Sequence, residues 1–390
     1  MTQPEPIVVY SDAYLDYDFG PDHPLTPRRF GPSIALMRAS GATRFVAPRV
    51  ATDVELERLH TQGYIRTVKN FSNDPWHHVP TAGIGPGDCP PFENMHDASA
   101  TVAGGSIDAV DRILAGESEH AFNPGGGLHH ALAARASGFC IYNDVALGVA
   151  RARDAGHRVL YVDLDVHHGD GTQALFWTDP DVLTFSIHET GMTLFPGTGY
   201  VDERGGPGAE GTAVNIPLQP YSGDASWRAA VERAVPALAA AFKPTFLVSQ
   251  HGCDTHAYDP LAHLRLTTNA YRAATTLLDG IAHEHCDGRW LATGGGGYDA
   301  YRVVPRSWSL VWLAQAHREP PPTTSAEWRN DWVAQAERFD QAPPPETYLD
   351  ADDLVAPESA DIAARNDKTT DTALTQALEL LTHAPKEANP

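Results

Sequence analysis

The sequence is short of positive charge: 28 lysines and arginines stand against 50 aspartates and glutamates, for a net charge of −22. Because phosphate binding depends on clustered lysine and arginine, we expect no nucleic-acid partner. Cysteine is also scarce, with four residues and no CxxC pair, which predicts reduced thiols rather than a disulfide framework. The sequence has neither a run of about 18 apolar residues nor a basic, apolar N-terminal segment. We therefore expect a cytoplasmic protein with no membrane partner.

Short apolar segments that alternate with helical patterns indicate an α/β fold. Four predicted strands lead into glycine-rich or charged sequence: 119–123 into PGGGLHH, 159–166 into HHGDG, 246–250 into HGCDTHAYDP and 289–293 into GGGGYD. Because parallel α/β sheets bind ligands just outside the carboxyl ends of their strands, these segments predict one composite site. We expect a single large domain with a mostly parallel central sheet and helices on both faces. Helices are predicted over 53–70, 98–115, 144–155 and 224–242.

The composition changes near residue 319. Beyond it, proline clusters and an acidic stretch separate two short helical patterns. We therefore predict a catalytic domain over 1–318 and a Pro-rich, partly helical C-terminal extension over 319–390. The sequence is compatible with an extension that packs on the domain and also with an interaction arm.

The segment YVDLDVHHGDG, residues 161–171, predicts a metal site. A buried strand ends here in five ionisable residues, and buried carboxylates are costly unless they are paired or bind a metal. Asp165 and His167 alternate on one face of the strand, and Asp254 follows a second strand and can complete a three-ligand site. This set suits Zn²⁺ with an open position for water and substrate, and it also admits Fe²⁺. Each residue alone is more typical of a capping aspartate or a surface histidine.

Candidate proton-transfer groups lie in the neighbouring segments. His129 and His130 follow the glycines at 125–127, where a substrate can approach closely, and a histidine beside a metal can accept a proton from water. Asp163 and Asp170 are the natural carboxylates to orient the two imidazoles and set their tautomers. Adjacent histidines at a helix start are, however, more often solvated than catalytic.

Three kinds of loop residue complete the candidate site. Tyr298 follows the glycines at 294–297, so its phenol can donate a hydrogen bond to a developing oxyanion, a contact worth about 10²–10³ in rate. The glycine run is also typical of a phosphate loop, but neither a Walker lysine nor a GxGxxG-to-helix context accompanies it. Phe139 and Phe195 either sandwich an aliphatic chain or belong to the core. Asp88 lies in a loop, from which it could hold a substrate backbone or ammonium group.

Together, these motifs resemble those of the histone deacetylase superfamily, with its arginase/deacetylase fold, and specifically the zinc-dependent, class I-like bacterial acetoin-utilisation deacetylases. The resemblance runs from about residue 7 to 312 and is carried by HPLTPRR, GDCP, NPGGGLHHA, SGFCIYND, VDLDVHHGDG, FPGTG, QHGCDTHAYDPLAHL and GGGGYD. It implies a protein lysine deacetylase that hydrolyses N6-acetyl-lysine to lysine and acetate. Metabolic enzymes such as acetyl-CoA synthetase are the substrates that it suggests.

The resemblance also implies a role for each candidate residue. These are the metal ligands Asp165, His167 and Asp254; the general base and acid His130, with His129 as its electrostatic partner; the supporting carboxylates Asp163 and Asp170; the oxyanion donor Tyr298; the acyl-lysine tunnel at Gly138, Phe139 and Phe195; and the substrate-backbone contact Asp88. A structural K⁺ is implied at Asp163, Asp165, His167, Ser186 and Ile187. Arg29 matches a family arginine near an internal product channel. Cys253 departs from the family pattern and is either a small buried hydrophobe or an oxidation-sensitive thiol.

Three other functions stay open at this point. An acetylpolyamine or other small-amide hydrolase has the same scaffold but usually restricts the tunnel mouth, and the loop 73–91 is not obviously long enough to do so. A non-catalytic acetyl-lysine binder does not need the complete catalytic set. An arginase-type enzyme needs further carboxylates for a second Mn²⁺, which Asp259 does not plainly supply.

Overall fold

The centre of the fold is an eight-stranded sheet in which every pair of neighbouring strands is parallel. The computed structural model describes residues 5–383. Its strands are β1 (Ile7–Val9), β2 (Phe45–Val46), β3 (His120–Asn123), β4 (Val159–Asp163), β5 (Val182–Glu189), β6 (Ala213–Leu218), β7 (Phe246–Gln250) and β8 (Trp290–Thr293). They lie in the order β2-β1-β3-β8-β7-β4-β5-β6. The predicted α/β class is confirmed.

Helices form most of the crossover connections between the parallel strands, but residues 190–212 join β5 to β6 without a helix. The helices are α1 (Phe30–Ala39), α2 (Asp53–Leu56), α3 (Gln62–Asn73), α4 (Met95–Leu114), α5 (Asp144–Asp154), α6 (Asp170–Leu175), α7 (Asp224–Phe242), α8 (Thr268–His285), α9 (Val304–Gln315), α10 (Ala326–Arg338) and α11 (Ala360–His383). Short 3₁₀ turns occupy Asp12–Asp16 and Pro27–Arg29. Among residues 5–383, none of the helices is long and apolar enough to cross a bilayer.

Two hydrophobic cores cover the two faces of the sheet. Successive side chains of a strand point to opposite faces, so Val159 and Tyr161 of β4 pack in the core that contains residues of α4 and α5. Leu160 and Val162 point the other way, into the core that contains residues of α1, α7, α8 and α9. The predicted helices on both faces are therefore present.

The C-terminal segment packs on the rest of the chain. The indole Nε1 of Trp328 in α10 donates to the carbonyl oxygen of Pro32 at 2.8 Å. The side chain of Asn366 in α11 accepts from the backbone of Gln219 at 2.9 Å and donates to Ser222 Oγ at 2.7 Å. Of the two arrangements that the sequence left open, the structure has the packed one. The division at 318/319 stays a prediction, and residues 384–390 of the extension lie outside the described residues.

The sheet brings the four predicted strand ends side by side. β3, β8, β7 and β4 are consecutive neighbours, and their last residues are paired in register: Asn123 with Thr293, Thr293 with Gln250, and Gln250 with Asp163. The polar segments that follow these strands therefore meet at one edge of the sheet.

Candidate active site

Three side chains converge just beyond the ends of β4 and β7. Nδ1 of His167 lies 3.0 Å from Oδ1 of Asp165 and 3.2 Å from Oδ2 of Asp254. The ligand atoms of these three residues all lie within 4.8 Å of one another. Oδ2 of Asp254 is buried and accepts a well-formed hydrogen bond from none of the described residues. The three predicted ligands therefore meet at one point, and Oδ2 of Asp254 is an acceptor there without a hydrogen-bond donor among the described residues.

The electrostatics of this point favour a cation. Burial lowers the pKa of His167, but its contacts with the carboxylates of Asp165 and Asp254 outweigh that effect and raise the pKa to about 10. Burial and the neighbouring charge of Asp165 raise the pKa of Asp254 to about 6. Ligand atoms bound to one tetrahedral Zn²⁺ are separated by about 3.3 Å, which is close to the spacing of the His167 nitrogen from both carboxylates. The residues therefore fit a divalent metal ion.

A second layer of contacts holds the carboxylates in place. Oδ2 of Asp165 accepts from Nε2 of Gln250 at 2.7 Å and from the backbone of Gly296 at 2.8 Å. Oδ1 of Asp254 accepts from the backbone of Val166 at 3.0 Å. A Cβ on Gly296 would overlap the carboxylate of Asp254, so glycine is required there. Sequence reasoning missed Gln250, although a polar residue at the end of a predicted buried strand was a usable signal.

Two histidine–aspartate pairs lie beside the three converging side chains. Nδ1 of His129 lies 2.8 Å from Oδ2 of Asp163, and Nδ1 of His130 lies 2.6 Å from Oδ1 of Asp170. The two Nε2 atoms face each other at 3.0 Å. Both imidazoles are buried, so the solvated arrangement does not occur. Tyr161 adds a hydrogen bond of 2.5 Å from its hydroxyl to Oδ2 of Asp163.

The imidazoles of His129 and His130 differ in pKa. Burial lowers the pKa of His129, but the charges of Asp163 and Asp165 outweigh it and raise the pKa to about 9. Burial and the neighbouring charge of His129 lower the pKa of His130 to about 4. His129 therefore favours the charged form and His130 the neutral form, which leaves His130 able to accept a proton.

Tyr298 lies on the glycine loop that follows β8. Its backbone N–H donates to Oδ2 of Asp259 at 2.9 Å, so Asp259 organises the loop. The guanidinium of Arg29 donates to the carbonyl oxygens of Gly295 at 2.6 Å and Gly297 at 3.4 Å, and these two hydrogen bonds stabilise the same loop. Burial, together with the nearby carboxylates, raises the pKa of Tyr298 well above its usual value. Its hydroxyl therefore keeps its proton and can donate a hydrogen bond.

These groups line one narrow cavity of about 20 Å³, enough for a water molecule. Its lining includes His129, His130, Gly138, Phe139, Asp165, His167 and Tyr298. The ring of Phe195 lies 5.0 Å from the ring of His130, and the ring of Phe139 lies 6.0 Å from that of Tyr298. Phe195 is 41% exposed, as a residue at a cavity mouth would be.

Gly138 packs against the ring of His130 and close to the ring of Phe195. It has a φ of +50°, and a Cβ there would overlap the ring of His130 and crowd Phe195. Asp88 is exposed and is not part of the cavity lining. Its carbonyl oxygen lies 3.2 Å from Nε2 of His23, whose ring lies 4.6 Å from that of Phe139. The structure therefore places Asp88 near the rim.

The residues of the predicted K⁺ site lie on adjoining strands and the loop after β4. The sheet register pairs Asp163 with Ser186, and Oγ of Ser186 lies 2.8 Å from Nδ1 of His188. The K⁺ site stays a prediction. Cys253 is fully buried, and burial raises the pKa of its thiol well above the usual value, which agrees with the small-hydrophobe interpretation. All four cysteines are free and buried.

Comparisons with known proteins give matches over nearly the whole chain. A family model described as the histone deacetylase domain matches residues 23–315. Acetoin utilization protein AcuC of Bacillus subtilis (strain 168) is 40% identical over 94% of this chain and 96% of its own length. Its namesake in Staphylococcus xylosus is 38% identical over 84% of this chain and 87% of its own length.

Two solved structures have folds similar to that of this chain. An HDAC homolog from Aquifex aeolicus superposes with a TM-score of 0.82 at 26% identity, over 94% of this chain and 100% of that one. A crystal structure of an HDAC homolog complexed with SAHA also gives a TM-score of 0.82, at 27% identity over 95% of this chain and 100% of that one.

Proposed function

This chain belongs to the histone deacetylase family, and we propose that it is a metal-dependent protein lysine deacetylase that hydrolyses N6-acetyl-lysine to lysine and acetate. The observation that carries the proposal is the meeting of three chemistries in one cavity. A cluster of metal-ligand atoms, a histidine paired with a carboxylate and a protonated phenol all border it. Amide hydrolysis needs all three: an electrophilic centre, a proton carrier and an oxyanion donor.

Asp165, His167 and Asp254 would hold the metal ion, and we propose Zn²⁺, with Fe²⁺ as the alternative that this ligand set admits. When bound, such an ion polarises the acetyl carbonyl and lowers the pKa of water to about 7. Gln250 and the backbone of Gly296 hold Asp165 for this role through their hydrogen bonds to its Oδ2.

His130 is the proposed general base and acid. Its Nδ1 is engaged by Asp170 at 2.6 Å, so Nε2 is the nitrogen that exchanges protons with the reactants. In its neutral form His130 takes a proton from the attacking water, and it then returns this proton to the leaving amine of lysine. His129, paired with Asp163 at 2.8 Å, is its electrostatic partner and orients the attacking water.

Tyr298 is the proposed oxyanion donor. Tyr298 lines the cavity together with His130 and His167, and its raised pKa keeps its hydroxyl protonated at neutral pH. As the carbonyl carbon becomes tetrahedral, the phenol can donate a hydrogen bond to the developing negative oxygen. Its position depends on Arg29, which binds the carbonyl oxygens of the glycine loop.

Phe139, Phe195 and Gly138 form the proposed tunnel for the acyl-lysine chain, and Asp88 at the rim contacts the substrate backbone. Metabolic enzymes such as acetyl-CoA synthetase are the proposed substrates, in keeping with relatives that are named for acetoin utilisation. We propose that SAHA, present in one solved homologue, binds the same tunnel here. A K⁺ ion at Asp163, Asp165, His167, Ser186 and Ile187 and a cytoplasmic location complete the proposal.

The test is acetate release from an acetyl-lysine peptide and from an acetylated polyamine, with metal-stripped protein assayed with and without Zn²⁺. We expect peptide turnover that depends on added Zn²⁺. Turnover of the polyamine alone would assign the cavity to small amides. Binding of the peptide without acetate release from either compound would contradict an enzymatic role.

A further inference from the structure

A second cluster of metal-ligand atoms lies at the opposite end of the sheet from the proposed active site. It consists of His120, which opens β3, Asp279 and His283 of α8, and His317, which follows α9. β3 runs from His120 to Asn123, and it is the Asn123 end that leads to the catalytic cavity. The two clusters therefore share no residue and lie at opposite edges of the sheet.

The four ligand atoms converge on one point. Nε2 of His283 lies 3.2 Å from Nε2 of His120 and 3.1 Å from Nε2 of His317. Oδ1 of Asp279 lies 3.1 Å from Nε2 of His317, 3.5 Å from that of His120 and 3.6 Å from that of His283. A tetrahedral Zn²⁺ site with bonds of about 2.0–2.1 Å has ligand atoms about 3.3 Å apart. The observed separations bracket that value.

A network of hydrogen bonds alone explains this arrangement poorly. Nε2 of a neutral imidazole carries either one hydrogen or one lone pair, yet Nε2 of His283 faces two other ring nitrogens and a carboxylate oxygen. It can form a linear hydrogen bond with only one of them. A cation satisfies all four atoms at once, since each then directs a lone pair at the ion.

The backbone also presents these residues in a way suited to an ion. Asp279 and His283 are four residues apart on α8, so their side chains share one helix face. His317 has a φ of +52°, a left-handed conformation that glycine usually occupies after a helix. Gln315 Nε2 donates to the carbonyl oxygen of Ala121 in β3 at 3.1 Å, which ties the end of α9 to the strand that carries His120.

We propose that His120, Asp279, His283 and His317 bind a divalent transition-metal ion, Zn²⁺ by their ligand type, at a second site separate from the catalytic cavity. Three imidazoles and one carboxylate are a nitrogen-rich set of the kind that Zn²⁺ takes in four-coordinate sites. The side chain of His120 is 4% exposed and that of His317 is 40% exposed. The ion therefore enters from solvent and joins β3 to α8 and to the end of α9.

The test counts zinc in full-length protein without a polyhistidine tag, after equilibration at a fixed concentration of free Zn²⁺. We expect His283→Ala and His317→Gly each to lose one ion per chain relative to the unmodified protein. Glycine suits the left-handed backbone at 317, so that variant tests the ligand and not the fold. His285→Ala removes a histidine from the same helical turn but outside the cluster, and it should keep the full complement. Mutation of a residue that only hydrogen-bonds to a metal ligand already lowers metal affinity by about 10–100-fold. Loss of a ligand itself should therefore weaken zinc binding by more than about 100-fold.

The same count in an active-site background separates this proposal from the deacetylase proposal. Asp165→Ala, or His167→Ala if the first variant folds poorly by circular dichroism, should still bind one zinc ion. This ion should be lost when His283→Ala is added, and Co²⁺ in its place should show the visible absorption of a tetrahedral site. Zinc content unchanged by His283→Ala and His317→Gly, or no zinc in the active-site variant, would overturn the second site. Neither result depends on turnover of any substrate.

Discussion

Individual side chains around the candidate active site are held in place by hydrogen bonds to particular atoms. Asp170 engages Nδ1 of His130, and Nε2 of the same ring lies 3.0 Å from Nε2 of His129. Gln250 and Gly296 engage Oδ2 of Asp165 and leave Oδ1 toward His167. Such prior orientation reduces the reorganisation needed during the reaction, which is where much of enzymatic rate acceleration originates.

Tyr298→Phe tests the oxyanion role at the scale of one atom. Removal of the hydroxyl should lower kcat for an acetyl-lysine peptide by about 10²–10³-fold and leave KM little changed, because the contact forms mainly in the transition state. Steady-state kinetics measure both constants, and zinc content serves as the control because Tyr298 is not a ligand. Full activity in this variant would contradict the assigned role.

At the scale of elements, the predicted bounds agree with the structure except where helix caps divide a segment. β7 (Phe246–Gln250) and α7 (Asp224–Phe242) have the predicted bounds. The helix predicted over 53–70 is instead divided into α2 and α3. Thr52 and Thr61 each accept a hydrogen bond at a helix start. These two caps divide a segment that apolar periodicity alone predicts to be one continuous helix.

Asp350 joins the C-terminal segment to α8 and α9. It lies 2.8 Å from the guanidinium of Arg306 and accepts from the backbone and hydroxyl of Thr268 at 2.9 Å. Burial raises the pKa of Asp350, but hydrogen bonding to His256 and the charge of Arg306 outweigh burial and hold it well below the usual value. The ionised form is thus the one that the fold stabilises.

Asp350→Asn should lower the free energy of unfolding by about 3–5 kcal/mol, because Arg306 is left buried without a counter-charge. Since the folded pKa is depressed, the stabilisation is complete above the unfolded pKa of about 3.9 and is lost as pH falls through the lower folded value. Urea unfolding at neutral and acidic pH measures this, and the difference between the two proteins should shrink in acid. Asp352→Asn, a change at an exposed neighbour, is the matched control; an equal effect there would refute the specific pairing.

At the scale of the whole molecule, the segment after residue 318 completes one of the two hydrophobic cores. Trp328, Tyr348 and Ala377 are buried in the same core as residues of α1, α7 and α9. Their removal exposes apolar surface of those helices, and exposed core surface favours aggregation.

A chain that ends at residue 318 should therefore unfold at a lower urea concentration than the full chain. Its free energy of unfolding should be lower by more than about 3 kcal/mol, because it loses at least the Asp350 pairing. Circular dichroism during urea unfolding measures the difference, with a chain that ends at residue 383 as the reference. An unchanged midpoint for the shorter chain would support 1–318 as an independent domain.

The sequence by itself determined the α/β class, the family resemblance and the grouping of Asp165, His167 and Asp254. These depend on local patterns: strand periodicity, the spacing of two ligands on one strand, and polar residues directly after apolar segments. The family comparisons and the fold confirm the class and the family, and the three side chains lie together in the structure. The roles of the individual site residues stay predictions.

Only the tertiary structure decided which distant residues meet. Arg29 binds the carbonyl oxygen of Gly295 across the chain, Gln250 holds Asp165, and His120 meets three ligand atoms of α8 and of the turn after α9. Such contacts follow from the order of the strands in the sheet and from helix packing, and neither is encoded in the periodicity of a single segment. The sequence could therefore indicate the candidate active site, because its predicted metal ligands, histidines and tyrosine follow strand ends, but not the histidine cluster at the other edge.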